Sequence, residues 1–127
     1  MSPPWYVYTG PVIGFLAFAQ GTFAQIDPAQ AGIAFGIETT SKNPQALAFV
    51  RVFGSRNMSL GTAIMAMFYL GRYREMGVVV SCLEISTIFD MVVIASGADG
   101  KKGNILPHLV SLLIFGLVGG ANMALMT

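Results

Sequence analysis

Four stretches of this sequence, at about 5–26, 44–71, 76–97 and 104–126, are long, apolar and almost free of charge, with no more than two charged side chains in any of them. An α-helix rises ~1.5 Å per residue, so about 20 residues cross the ~30 Å of hydrocarbon in a bilayer. Each stretch is long enough to do so. Charged residues make up only 10% of the chain, against about 25% in a soluble domain. A globule of 127 residues keeps most of them at or near its surface, and seven basic and six acidic side chains are too few to cover it. A lipid surface is the simpler account. The expected architecture is therefore all-α: one integral membrane domain over residues 1–127, a bundle of four transmembrane helices running up and down, with a long first loop.

The boundaries carry their own signals. Trp5, Tyr6 and Tyr8 open the first span, where amphipathic rings favour the headgroup level, and Asp27 followed by Pro28 closes it. The opening MSPPWYVYTG lacks the basic n-region and small-residue cleavage site of a secretory signal, so the first span is expected to be retained. Between 28 and 48 the apolar run AGIAFGI is too short to span, which suggests an interfacial or re-entrant loop laid across the bundle. The linkers GRYRE and ADGKKG are short, so the second, third and fourth spans are expected to be antiparallel neighbours. Arg72 and Arg74 fall at one face, and Lys42, Lys101 and Lys102 at the other. That near balance leaves the orientation open.

Ionisable residues inside the spans point toward function, because each costs roughly 2.5–3.5 kcal/mol at a helix centre unless it finds a partner or a wet cavity. With helices antiparallel, Arg56, Asn57 and Asp90 fall ~5 Å from the midplane on one side, with His108 at ~10 Å and Arg51 at ~13 Å on that same side. Arg56 and Asp90, at matched depth, form the natural ion pair. The pair admits two readings, a register-fixing structural contact or part of a reactive pocket. Glu84 falls ~4 Å beyond the midplane. A carboxyl at that depth suits a general acid, or else a protonated group hydrogen-bonded to Ser81 or a neighbouring helix. The candidate catalytic residues are thus Asp90, Glu84 and His108, with Arg56, Asn57 and Arg51 as candidate substrate contacts. For Arg51 a phosphate headgroup is the competing partner, and for His108 it is interfacial water.

Other classes lack support. The net charge of +1 comes with no basic stripe, so nucleic acid is not an expected partner. Cys82 is the single cysteine, and no histidine and cysteine spacing suits a metal, so no cofactor is expected. The four-residue steps Gly10/Gly14 and Gly116/Gly120 favour close helix approach, within the bundle or across a homodimer.

The run RVFGSRNMSLG from Arg51 to Gly61, the apolar stretch after it, Asp90 in the next span and His108 opening the last together resemble a family of small four-helix membrane proteins of unknown function in fungi and bacteria. The resemblance covers nearly the whole chain, on Arg51, Gly54, Arg56, Asn57, Gly61, Asp90 and His108. Glu84 lies outside that pattern. Because some members sit in fungal natural-product gene clusters, the resemblance implies a role at the endoplasmic reticulum in making a lipophilic metabolite. The expected function is a membrane-embedded acid/base enzyme of isomerase, cyclase or dehydratase type, acting on a lipophilic terpenoid or polyketide intermediate. The alternatives are a non-catalytic scaffold subunit and a small proton-coupled transporter built around Glu84.

Overall fold

The protein is described by a computed structural model, covering residues 2–36, 43–96 and 104–124. A 3-10 turn at Trp5–Tyr8 leads into α1 (Thr9–Ile26), and the remaining helices are α2 (Pro28–Ala34), α3 (Pro44–Tyr69), α4 (Tyr73–Ser96) and α5 (Leu106–Ala124). The long helices run up and down in sequence order, as expected.

Local chemistry sets the boundaries. The Asp27 carboxylate accepts from the Gln30 N–H at 3.1 Å with Pro28 in the first turn, and this cap starts α2 where the sequence reading placed a loop. Asn43 caps α3 in the same way, accepting from the Gln45 and Ala46 N–H groups, again ahead of a proline. At the far end of α3, Gly71 at φ +70° lets the Arg72 N–H reach back to the Met67 carbonyl at 2.8 Å. This left-handed stop ends α3 at Tyr69 rather than 71, and α4 then starts at Tyr73 rather than 76. Asn104 accepts from the Leu106 N–H at 3.0 Å, so α5 begins at Leu106 rather than 104. The expected ends at 97 and 126, and the polar part of the first loop at 37–42, lie outside the described residues.

The helices associate as two pairs. The most intimate packing joins α1 to α3, where backbones meet directly: a Cβ at Gly14 would stand 2.9 Å from the Gly61 carbonyl, and one at Gly54 the same distance from the Gly21 carbonyl. In the second pair a Cβ at Gly77 of α4 would lie 3.0 Å from the Gly119 carbonyl of α5. Gly119 makes this approach rather than the Gly116/Gly120 step, since Gly120 faces open space and Gly116 is covered by the Glu84 carboxylate. Contact between the pairs is sparser. One apolar cluster of Val7, Ile13, Ile64, Met76, Val80 and Leu83 joins them toward the end where α1 begins, and a second of Ala24, Ala31, Phe35 and Val50 seals α2 onto α1 and α3 at the other end.

Two helices, α4 and α5, are long and apolar enough to cross a membrane. Only 22% and 11% of their apolar stretches are buried, unlike the mostly buried core helix of a soluble globule. On α5 the exposed face runs through Leu106, Leu109, Val110, Leu113, Ile114 and Leu117. Polar content holds α1 and α3 back from the same mark: Gln20, Gln25 and Thr22 in one, Arg51, Arg56 and Asn57 in the other. Even so, α1 turns Val12, Phe15, Leu16 and Phe23 outward. The single tryptophan and all four tyrosines, Trp5, Tyr6, Tyr8, Tyr69 and Tyr73, gather at the end where α1 and α4 begin. There Phe68 links Tyr8 and Tyr73 through ring contacts of 5.4 and 5.8 Å.

Candidate functional site

Between the two helix pairs, in the half where α3 begins, lies a cleft of ≈ 110 Å³ to which all five helices contribute. Its polar side chains are Gln20 from α1, Arg56 and Asn57 from α3, Ser86, Thr87 and Asp90 from α4, and His108 and Ser111 from α5. Apolar walls come from Ala34 of α2 and Phe35 at its C-terminal cap, Phe53 and Leu60 of α3, Leu83 of α4 and Phe115 of α5.

The expected pair is present. The Arg56 Nη2 donates to Asp90 Oδ2 at 3.2 Å, joining α3 to α4 across the cleft, with side chains 40% and 24% exposed. The guanidinium also lies 4.4 Å from the centre of the Phe53 ring, and Phe53 meets Phe35 edge-on at 4.6 Å. Phe35, Phe53, Arg56 and Asp90 therefore form one chain of contacts from α2 through α3 to α4. A cation over an aromatic face is held by the ring quadrupole, so the arginine is positioned from two directions.

Asn57 donates to the Gln20 side-chain carbonyl at 3.2 Å, fastening α3 to α1 beside the ion pair. His108 is half-buried in the first turn of α5, and its Nδ1 is fully buried with no hydrogen-bond partner among the described residues. A buried polar atom without a partner costs about 1–3 kcal/mol, so each one needs a cause, such as a bound water, an ion or a reactive role. The other such atom among the described residues, Asn122 Oδ1, lies on the α4/α5 seam outside the cleft. The Ser111 and Thr87 hydroxyls are turned to their own helices, donating to the Pro107 and Leu83 carbonyls.

Two candidate residues stand elsewhere. Arg51 is exposed and outside the cleft; its backbone carbonyl accepts from Gln25 Nε2 at 2.7 Å, a bond that ties α3 to α1. Glu84 also lies outside the cleft, on the α4/α5 seam against Gly116. Sequence reasoning missed Gln20, Phe35 and Phe53. Phe53 sits within the RVFGSRN run, three residues before Arg56 and thus on its face of the helix. That spacing was available as a signal. Among the described residues no group of histidine, cysteine, aspartate and glutamate is arranged to hold a metal ion.

The sequence profile of a domain of unknown function, DUF4267, matches residues 14–122. The chain belongs to this family. The matched region runs from Gly14, at the α1/α3 contact, to Asn122 near the end of α5, so it takes in every residue lining the cleft. Comparison with curated proteins finds no match, and comparison with solved structures finds none.

Proposed function

We propose that this protein is a membrane-embedded acid/base enzyme, of isomerase, cyclase or dehydratase type, acting on a lipophilic small molecule that enters from the bilayer. The observation that carries this reading is the cleft itself: an ion pair and a partnerless imidazole nitrogen share one apolar-walled space. Such reactions need a proton donor, an acceptor and a site that sheds water. Asp90 and His108 are the proton-handling groups, and Arg56, held by Phe53, orients a substrate oxygen or meets developing negative charge. Asn57, engaged with Gln20, fixes the wall beside it. The chemistry draws on side chains alone.

The same reading sets all four long helices across the bilayer. The outward faces of α4 and α5 are apolar, α1 presents aromatic and aliphatic side chains outward, and the polar groups of α3 turn partly into the cleft. A polar side chain facing a protein cavity is tolerated in a span. A place at the endoplasmic reticulum and a terpenoid or polyketide substrate extend this reading through the resemblance to proteins of natural-product clusters.

One observation favours a rival. Arg56–Asp90 bridges two helix pairs that otherwise touch sparingly, which is what a structural register lock in a scaffold subunit would do. A direct assay separates the two. Membranes containing the protein are incubated with the lipophilic extract of a producing host that lacks it, and products are followed by mass spectrometry. The enzyme reading expects conversion, falling ~100-fold or more in folded Asp90→Asn and His108→Ala proteins. Conversion that is absent, or unchanged in both variants, rejects it in favour of the scaffold.

A further inference from the structure

We infer that the cleft receives the hydroxyl end of a neutral lipophile and discriminates against carboxylates and amines of the same skeleton; this deepens the reading above and rests on the cleft being a binding site. Charge is the first argument. The cleft is lined by one cation and one anion, Arg56 and Asp90, and these are already joined at 3.2 Å. An incoming carboxylate would reach the guanidinium only by competing with Asp90, and would then lie beside a second negative charge. An amine meets the mirror-image problem with Arg56. Walls of Phe35, Phe53, Leu83 and Phe115 lower the local dielectric and enlarge both penalties. A neutral molecule escapes them.

Hydrogen-bonding capacity narrows the class further. Asn57 gives one N–H to the Gln20 carbonyl, and Arg56 gives Nη2 to Asp90, which leaves it further N–H donors in the guanidinium plane. His108 Nδ1 is buried and unanswered. A ligand must therefore accept from a guanidinium and also satisfy an imidazole nitrogen, which donates in one tautomer and accepts in the other. A hydroxyl both donates and accepts, so it serves in either case, whereas an ether only accepts. Size completes the picture. At ≈ 110 Å³ the cleft is smaller than the roughly 300–1,000 Å³ of a site enclosing a whole drug-sized molecule. It houses the functional end, and the hydrocarbon remainder stays in the lipid.

His108 is the single histidine of the chain, so its imidazole gives one resonance to follow. The 127-residue chain, labelled with ¹⁵N in histidine, is placed in nanodiscs of zwitterionic phosphatidylcholine. It is titrated with 1-decanol, decyl methyl ether, decanoate and decylamine, each expressed as mole fraction of lipid. The expected result is that decanol shifts the imidazole signal at a mole fraction at least ten-fold lower than any of the other three. If decanoate or decylamine acts at the same level or below it, the neutrality argument falls while the cleft survives as a site. Parity with the ether removes the hydroxyl assignment in the same way. Silence from all four probes removes both this inference and the functional reading beneath it.

Discussion

The seam between α1 and α3 and the seam between α3 and α4 are built on opposite principles. In the first, glycines at 14, 21, 54 and 61 remove every side chain that would hold the backbones apart, and carbonyls of one helix rest against the α-carbons of the other. In the second, helices that are neighbours in sequence stand off, and a guanidinium, a carboxylate and a cleft fill the gap. The contrast teaches where stability resides. Backbone-to-backbone packing is dense and has one solution, so it can support a neighbouring region that is polar, roomy and under-packed.

The largest effect should come from breaking the closer seam. A side chain at Gly21 would meet both the Gly54 carbonyl and Met58, so Gly21→Val is expected to cost about 3 kcal/mol or more and to abolish most folded protein. Size-exclusion yield and thermal unfolding in detergent would show this; a variant melting within a degree or two of the parent would refute the packing account. At the open seam, Asp90→Ala leaves Arg56 without its partner. Full burial would make that loss ~3–5 kcal/mol, but with 24% and 40% exposure of the two side chains about 1–2 kcal/mol is expected. The double variant Asp90→Ala/Arg56→Ala should regain part of it, and no coupling in that cycle would show that the pair does not bind the halves together.

The roof of the cleft offers an intermediate case. Gly36 has φ +86°, and a Cβ there would lie 2.5 Å from the Asn104 carbonyl. Gly36→Ala should therefore lower stability by roughly 1–2 kcal/mol and, by shifting α2 and Phe35, loosen the arginine's aromatic support. Hydrogen exchange at α2 amides would report the shift, and unchanged protection there would count against it. The smallest effect is expected on α5. Nothing lies within 4 Å of a Cβ at Gly120, so Gly120→Ala should stabilise the helix by about 0.5–1 kcal/mol. A loss of stability would reveal that this glycine meets a second copy of the chain.

Depth was legible in the sequence and direction was not. Short links and a fixed rise per residue set Arg56, Asp90 and His108 at compatible heights, and the fold brings these three to one cleft. Azimuth needs the helix rotation. At 3.6 residues per turn Glu84 points about 120° away from Asp90, and Arg51 about 140° away from Arg56. Both leave the cleft for that reason. The helix α2 was hidden differently: Asp27 and Pro28 signal both the end of one helix and the cap of the next, and only the second meaning yields the roof carrying Phe35. Likewise the Gly116/Gly120 step is open to more than one partner, and the fold uses Gly119 instead.

The tryptophan and the tyrosines all crowd the end remote from the cleft. Seated in a bilayer, the molecule has a strong grip on one leaflet and a weak one on the other. Any mismatch between helix length and hydrocarbon thickness is then absorbed at the opposite end. Thin lipid would lift the Arg56–Asp90 level toward water, and thick lipid would draw it under, making the surrounding membrane a dial for how wet the cleft becomes.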